Sequence, residues 1–234
     1  MRKYFAFALA LAALHANAQE DGTQTNSSAF NTEKHFYGSE PIFTGQEHSG
    51  YSPDIEGTAY YGSDQWQNGS VVYRDVVYPD VRLKYDLVAD RLIVQHYNGF
   101  TGVTLFTPRI QSFSLEGKNF ENLSANTVNR LPLSGIYELL VKGEVSIYAK
   151  RLKSIQESTK SGRVERSIVS GETYYASKDG VFYPIKKEKH LLDLMPDRKN
   201  EIHTLLREKG LRFKKQMERA LVASAEYYNA QTRR

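Results

Sequence analysis

Two patterns divide the chain. From about residue 56 to 186 short apolar and aromatic runs between turn residues read as strands, and beyond 187 apolar side chains recur at helical spacing. Val81, Leu83, Tyr85 and Leu87 alternate with Arg82, Lys84 and Asp86, the mark of a strand with one face buried and one in water. The pattern predicts strands near 58–61, 69–78, 81–87, 92–96, 103–106, 110–115, 135–141, 145–150, 167–176 and 181–185. Pro79-Asp80, Ala89-Asp90, Tyr97-Asn98-Gly99, Lys142-Gly143-Glu144 and Lys178-Asp179-Gly180 punctuate them as turns, and Asn-Gly is a strong hairpin signal. Short strands at such regular spacing imply an antiparallel sheet.

The remainder reads as helix. A short helix is expected over 187–194. A second begins with Pro196 at its first position and carries Ile202, Leu205 and Leu206 as its apolar stripe. Gly210 is placed to cap it in the left-handed conformation. A third, over 214–229, aligns Met217, Leu221, Ala225 and Tyr228 on one face. The expected fold class is therefore α+β: a curled or sandwiched antiparallel β-sheet with C-terminal helices packed on one face or end.

The N-terminus has a different character. Arg2 and Lys3 precede an apolar run from Phe5 to Leu14, and Ala16-Asn17-Ala18 supplies small residues for a peptidase. This three-part pattern is that of a secretory signal peptide, and its apolar run falls short of the roughly 20 residues a membrane span needs. Four regions are expected: 1–18 signal peptide, 19–53 flexible polar leader, 54–186 antiparallel β domain, and 187–234 helical segment packed on it. No later stretch reads as a transmembrane helix, so no transmembrane segment is expected once the signal is removed.

Composition narrows the setting. The chain has no cysteine, which excludes disulfides, thiolate metal sites and thiol nucleophiles. Export without disulfides points to a bacterial envelope, with a periplasmic or secreted location after cleavage. Charge is uneven. Residues 19–140 hold 8 basic and 15 acidic side chains, whereas residues 141–234 hold 21 basic and 12 acidic. A basic C-terminal face suits phosphate, lipid headgroups or an acidic partner, while solvated helix faces would account for it equally. Nucleic acid is not expected, because no recognition motif is present and export removes the opportunity.

The search for chemistry finds little. No two histidines lie at i, i+4, and neither a nucleophile elbow nor a phosphate loop occurs. No metal or cofactor is implied. Glu138 and Glu144 flank a hairpin in the manner of a glycosidase pair, although exposed carboxylates often lie that close without function. Asp86 and Asp90 bracket a turn and are expected to shape it, Asp90 by accepting bonds from nearby backbone N–H groups. Candidate binding residues are Trp66, the one tryptophan; Tyr174 and Tyr175, one ring of which should point outward from its strand; and Arg212 and Lys215 on the basic helical segment.

The run Trp66-Gln67-Asn68-Gly69-Ser70-Val71-Val72, and then Leu83-Lys84-Tyr85-Asp86 through Asp90-Arg91-Leu92, resembles an uncharacterised group of exported Bacteroidetes envelope proteins. Gly135–Gly143 (Gly-Ile-Tyr-Glu-Leu-Leu-Val-Lys-Gly) and the Tyr174-Tyr175 strand are similar to members of that group as well. The resemblance implies an envelope setting and carries over no functional residue. The expected function is a non-catalytic binding or assembly module, with an envelope protein, a glycan or an anionic lipid as partner. The alternatives are a hydrolase acting on envelope polymers through an unrecognised site, and a small outer-membrane barrel, against which the helical C-terminus argues.

Overall fold

A computed structural model describes residues 40–160 and 163–232, so the expected signal peptide and most of the expected leader lie outside the described residues. The strands are β1 (Gln46–Glu47), β2 (Ile55–Glu56), β3 (Gln67–Tyr73), β4 (Val76–Asp86), β5 (Arg91–Gln95), β6 (Gly102–Thr104), β7 (Ile110–Leu115), β8 (Lys118–Leu123), β9 (Gly135–Val141), β10 (Val145–Lys160), β11 (Arg163–Lys178) and β12 (Val181–Ile185). The helices are α1 (Glu188–Leu192), α2 (Lys199–Glu208) and α3 (Met217–Thr232).

The strands form one open sheet in the order β1-β6-β5-β4-β3-β7-β8-β9-β10-β11-β12, and β2 adds to β11 in parallel. The fold is thus α+β, a mostly antiparallel sheet with C-terminal helices packed on it. No helix among the described residues is long and apolar enough to cross a membrane.

The sheet curls until the end of β4 reaches β10, with β3, β7, β8 and β9 between them. There the Lys153 N–H donates to the Leu87 carbonyl at 2.9 Å. Inside the curl the inward side chains of β3, β4, β5, β7 and β8 form one core, including Val71, Leu83, Tyr85, Leu92, Phe113 and Phe120. Phe113 and Phe120 stack at 4.5 Å across adjacent strands, and Tyr85 meets both edge-on.

The helices cover the other half. Alternate residues of β10 and β11 (Ile147, Ala149, Tyr174, Ala176) pack against Leu191, Ile202, Leu206, Leu221, Ala225 and Tyr228. The apolar face expected of α3 is this one. Gly210, at φ +62, ends the α2 segment as expected. Asn229, almost fully buried, fixes α3 to the β9–β10 turn by accepting from the Val145 N–H and donating to the Val145 carbonyl, both at 2.9 Å. Residue 143 must be glycine for this, because a Cβ there would lie 2.2 Å from the Asn229 amide.

Several expectations are corrected. The stretch 69–78 is not one strand: Arg74 and Asp75, both at positive φ, turn it into the β3–β4 hairpin. Pro79-Asp80 does not end a strand but forms a bulge within β4. Val81 pairs with Gly69 and Tyr78 with Val71, so Pro79 and Asp80 together face Ser70. β8 was not expected at all. Residues 40–53, assigned by composition to the flexible leader, lie on the domain: Ile42 is wholly buried in the curled core and β1 pairs with β6. A polar average concealed these few seated side chains.

β10 and β11 run well beyond the strands expected at 145–150 and 167–176, as a two-stranded ribbon of 16 residues a side. A strap crosses it. β2 pairs at the β11 edge (Ile55 with Arg166), Gly57 passes against Ile168, and the carbonyls of Thr58 and Tyr60 accept from Lys153 Nζ at 2.8 and 2.6 Å.

Candidate site at the sheet and helix junction

β-strand parity places Ile147, Ala149 and Arg151 of β10 on the face that the helices cover. Arg151 therefore ends the apolar row directly beneath the start of α3. Its guanidinium donates to Glu138 of β9 at 2.8 Å and also binds Glu172 of β11 and Glu218 of α3. Glu138 is 1% exposed. Burial opposes the charge on Arg151, but the bonds to Glu138 and Glu218 outweigh it and raise its affinity for the proton further. Tyr174 donates to Glu218 at 2.9 Å, with Arg151 lying over its ring. Burial, then Glu172 and Glu218, push the Tyr174 phenol upward. Burial and the charge of Glu138 push Tyr61 up to about 12. At neutral pH Arg151 is therefore a fixed cation within its ring of carboxylates, and both phenols are neutral.

Above this network lies an open cleft of about 630 Å³, bounded by β11, the end of β12 and the start of α3. Lys186, Lys214, Lys215 and Arg219, here called its lip, line it together with Glu172 and Glu218. Both carboxylates are bound to Arg151, whereas among the described residues none of the four lip cations is in an ion pair. The cleft offers an anion uncompensated positive charge on long, solvated side chains.

The residues singled out from sequence do not all meet here. Tyr174 and Lys215 line the cleft. Arg212 lies in the loop before α3, where its carbonyl accepts from the Lys215 and Gln216 N–H groups. Tyr175 is on the opposite face of β11, and neither ring forms an outward patch, since Tyr174 and Tyr175 are both buried. The connection between β8 and β9 accounts for this. It brings Leu131 over Tyr137, Tyr148, Tyr175 and Phe182, and the Asn129 carbonyl accepts from the Phe182 N–H at 2.8 Å. Trp66 lies elsewhere, half-buried before β3. The Lys84 ammonium sits 4.6 Å from its ring centre and 5.0 Å from that of Tyr60.

The two carboxylates considered as a glycosidase pair have separate partners. Glu138 holds Arg151, and Glu144 contacts Tyr228 at 3.1 Å and Lys178 at 3.6 Å. Around the β4–β5 turn the roles expected of the aspartates are exchanged. Asp86 accepts the backbone N–H groups of Val88 and Ala89 and the Tyr51 hydroxyl, while Asp90, at φ +53, binds Tyr85 and Lys150. Among the described residues no group of three His, Asp or Glu side chains is arranged to hold a metal ion.

Sequence reasoning passed over Arg151, the hub of the junction. The signal was parity: an arginine in register with Ile147 and Ala149 must face a cover and so needs a buried carboxylate. No family model, no curated protein and no solved structure matches the chain.

Proposed function

We propose that the protein is an exported component of a bacterial envelope that acts by non-covalent binding, with the cationic lip of the junction cleft as its contact for an anionic envelope surface. One observation supports the site most directly: both acids of the cleft are bonded to Arg151, while the four cations Lys186, Lys214, Lys215 and Arg219 are left without ion-pair partners among the described residues. Lysines on flexible stems suit a diffuse anionic surface, since a point ammonium needs no fixed partner geometry. The cation-led apolar run at residues 2–14, ahead of Ala16-Asn17-Ala18, supports export.

Two measurements test this reading. Mass spectrometry of the protein recovered from a bacterial host should find the chain beginning at Gln19; a chain retaining Met1 would overturn the export reading. Sedimentation with vesicles containing phosphatidylglycerol should retain the wild type and lose a Lys214→Glu, Lys215→Glu variant, with retention declining as salt rises. Equal retention of both, or equal retention on phosphatidylcholine, would overturn the lip as the contact surface.

A further inference from the structure

A second cleft, of about 510 Å³, lies where the β3–β4 turn, β1 and the segment after β6 come together. Its lining differs in kind from that of the junction. Arg74 and Arg91 both enter it, and no Asp or Glu lines it. Neither arginine has a carboxylate within ion-pair distance among the described residues. Arg91 stands opposite Asp86 in the β4–β5 register, but that carboxylate is occupied by Tyr51 and two backbone N–H groups. Gln46, Thr104 and Thr107, whose side chains carry an amide and two hydroxyls, also line it. Phe106, 61% exposed, presents its ring at the rim.

Arg74 is held there against its local preference. It is the first residue of a two-residue turn whose positions lie at φ +52 and +63, a conformation that favours Asn-Gly and disfavours a side chain such as arginine. The turn is pinned from outside: the Arg74 N–H donates to the Arg109 carbonyl at 2.9 Å, and Gln111 donates to Asp75 at 3.2 Å. The backbone at Arg74 is thus fixed, and its guanidinium lies 5.7 Å from the centre of the Tyr73 ring. Two guanidinium groups lining one cleft that has no acid in its wall make it favourable for an anion. Their planar forks match carboxylate or phosphate oxygens. Hydroxyls and an amide suit ring hydroxyls, and an exposed aromatic face suits the apolar face of a pyranose.

We propose that this cleft binds an anionic sugar, with Arg74 and Arg91 on its carboxylate or phosphate, Gln46, Thr104 and Thr107 on its hydroxyls, and Phe106 against its ring. The site is separate from the junction cleft and does not depend on the lip.

The test is calorimetric titration of the full chain with tetragalacturonate, with glucose 6-phosphate, and with glucose and inorganic phosphate as controls. Binding of at least one acidic sugar is expected, and whichever of the two binds tighter identifies the anion as carboxylate or phosphate. Arg74→Asn should weaken that binding about tenfold or more, as should Arg91→Gln, since each removes a charge-assisted hydrogen bond. Asparagine favours the turn, so Arg74→Asn should keep or raise the melting temperature, which separates lost binding from lost folding. The Lys214→Glu, Lys215→Glu variant should bind as the wild type does. Failure of both acidic sugars to bind, affinity unchanged in both arginine variants, or equal affinity for glucose or inorganic phosphate would overturn the proposal.

Discussion

Lys150 and Asp90, 60 residues apart in sequence, meet at 2.6 Å and hold the β4–β5 turn against the middle of β10. The Lys150 side chain is only 6% exposed; it also donates to the Ile136 carbonyl at 2.9 Å and lies 5.0 Å from the centre of the Tyr137 ring. Gly135 makes room for the pair. A Cβ there would fall 2.5 Å from the Asp90 carboxylate and 3.0 Å from the Lys150 ammonium, at a φ of +142 that side chains avoid.

Gly135→Ala should therefore destabilise the protein by about 2 kcal/mol or more, through both the contact and the backbone conformation. Asp90→Ala should be costly as well, since it leaves the Lys150 ammonium buried without its counter-charge. Urea midpoints read both effects, and a Gly135→Ala midpoint equal to wild type would contradict the account of this contact.

Arg151→Met should cost about 3–5 kcal/mol, because Glu138 is left charged and almost without solvent. Adding Glu138→Leu should restore much of that loss, since a hydrophobic pair of similar volume replaces a buried ion pair with little penalty. A double variant no more stable than Arg151→Met alone would show that the carboxylate is not what the arginine compensates.

Asp86→Ala should cost about 3 kcal/mol, removing a buried acceptor from two backbone N–H groups and the Tyr51 hydroxyl. Asp86→Asn keeps one acceptor oxygen and should cost less. The order of the two melting temperatures is the check.

His48 shares a 2.7 Å hydrogen bond with the Tyr60 hydroxyl. Burial holds its imidazole below the usual 6.5, against the pull of Asp86 and with the help of Lys84 and Arg91. As pH falls through 6.5 the unfolded chain takes up this proton first. Stability therefore declines with falling pH below 6.5, until the folded histidine also titrates. His48→Gln should flatten the denaturant midpoint between about pH 5 and 7 relative to wild type. Parallel curves for the two proteins would assign the slope to other groups.

The legible parts of the fold were those where side-chain parity and turn chemistry agreed. Val81 to Leu87 alternates cleanly and pairs as read, and Asn98-Gly99 turns as read, with Asn98 Oδ1 accepting the Phe100 and Thr101 N–H groups. The Arg74-Asp75 turn was hidden because arginine is not an ordinary former of its first position, and neighbouring segments pin it. β8 was hidden because only Phe120 among its six residues is deeply buried. The ribbon was hidden because solvent reaches both of its faces along most of its length, so no alternation develops. At the junction, Tyr174 and Lys215 line the cleft, whereas the outward ring expected of the Tyr174-Tyr175 pair is absent: the cover over Tyr175 comes from residues 124–134, a stretch without periodicity that only tertiary contacts place.

The strap carries an implication for the order of assembly. Lys153 and Thr58 are 95 positions apart, while β10 and β11 pair as immediate neighbours along the chain. Closing so wide a loop is slow compared with zipping a hairpin. Synthesis proceeds from the N-terminus, so the segment that fastens the ribbon is among the first parts of the domain to be made and among the last to find its place.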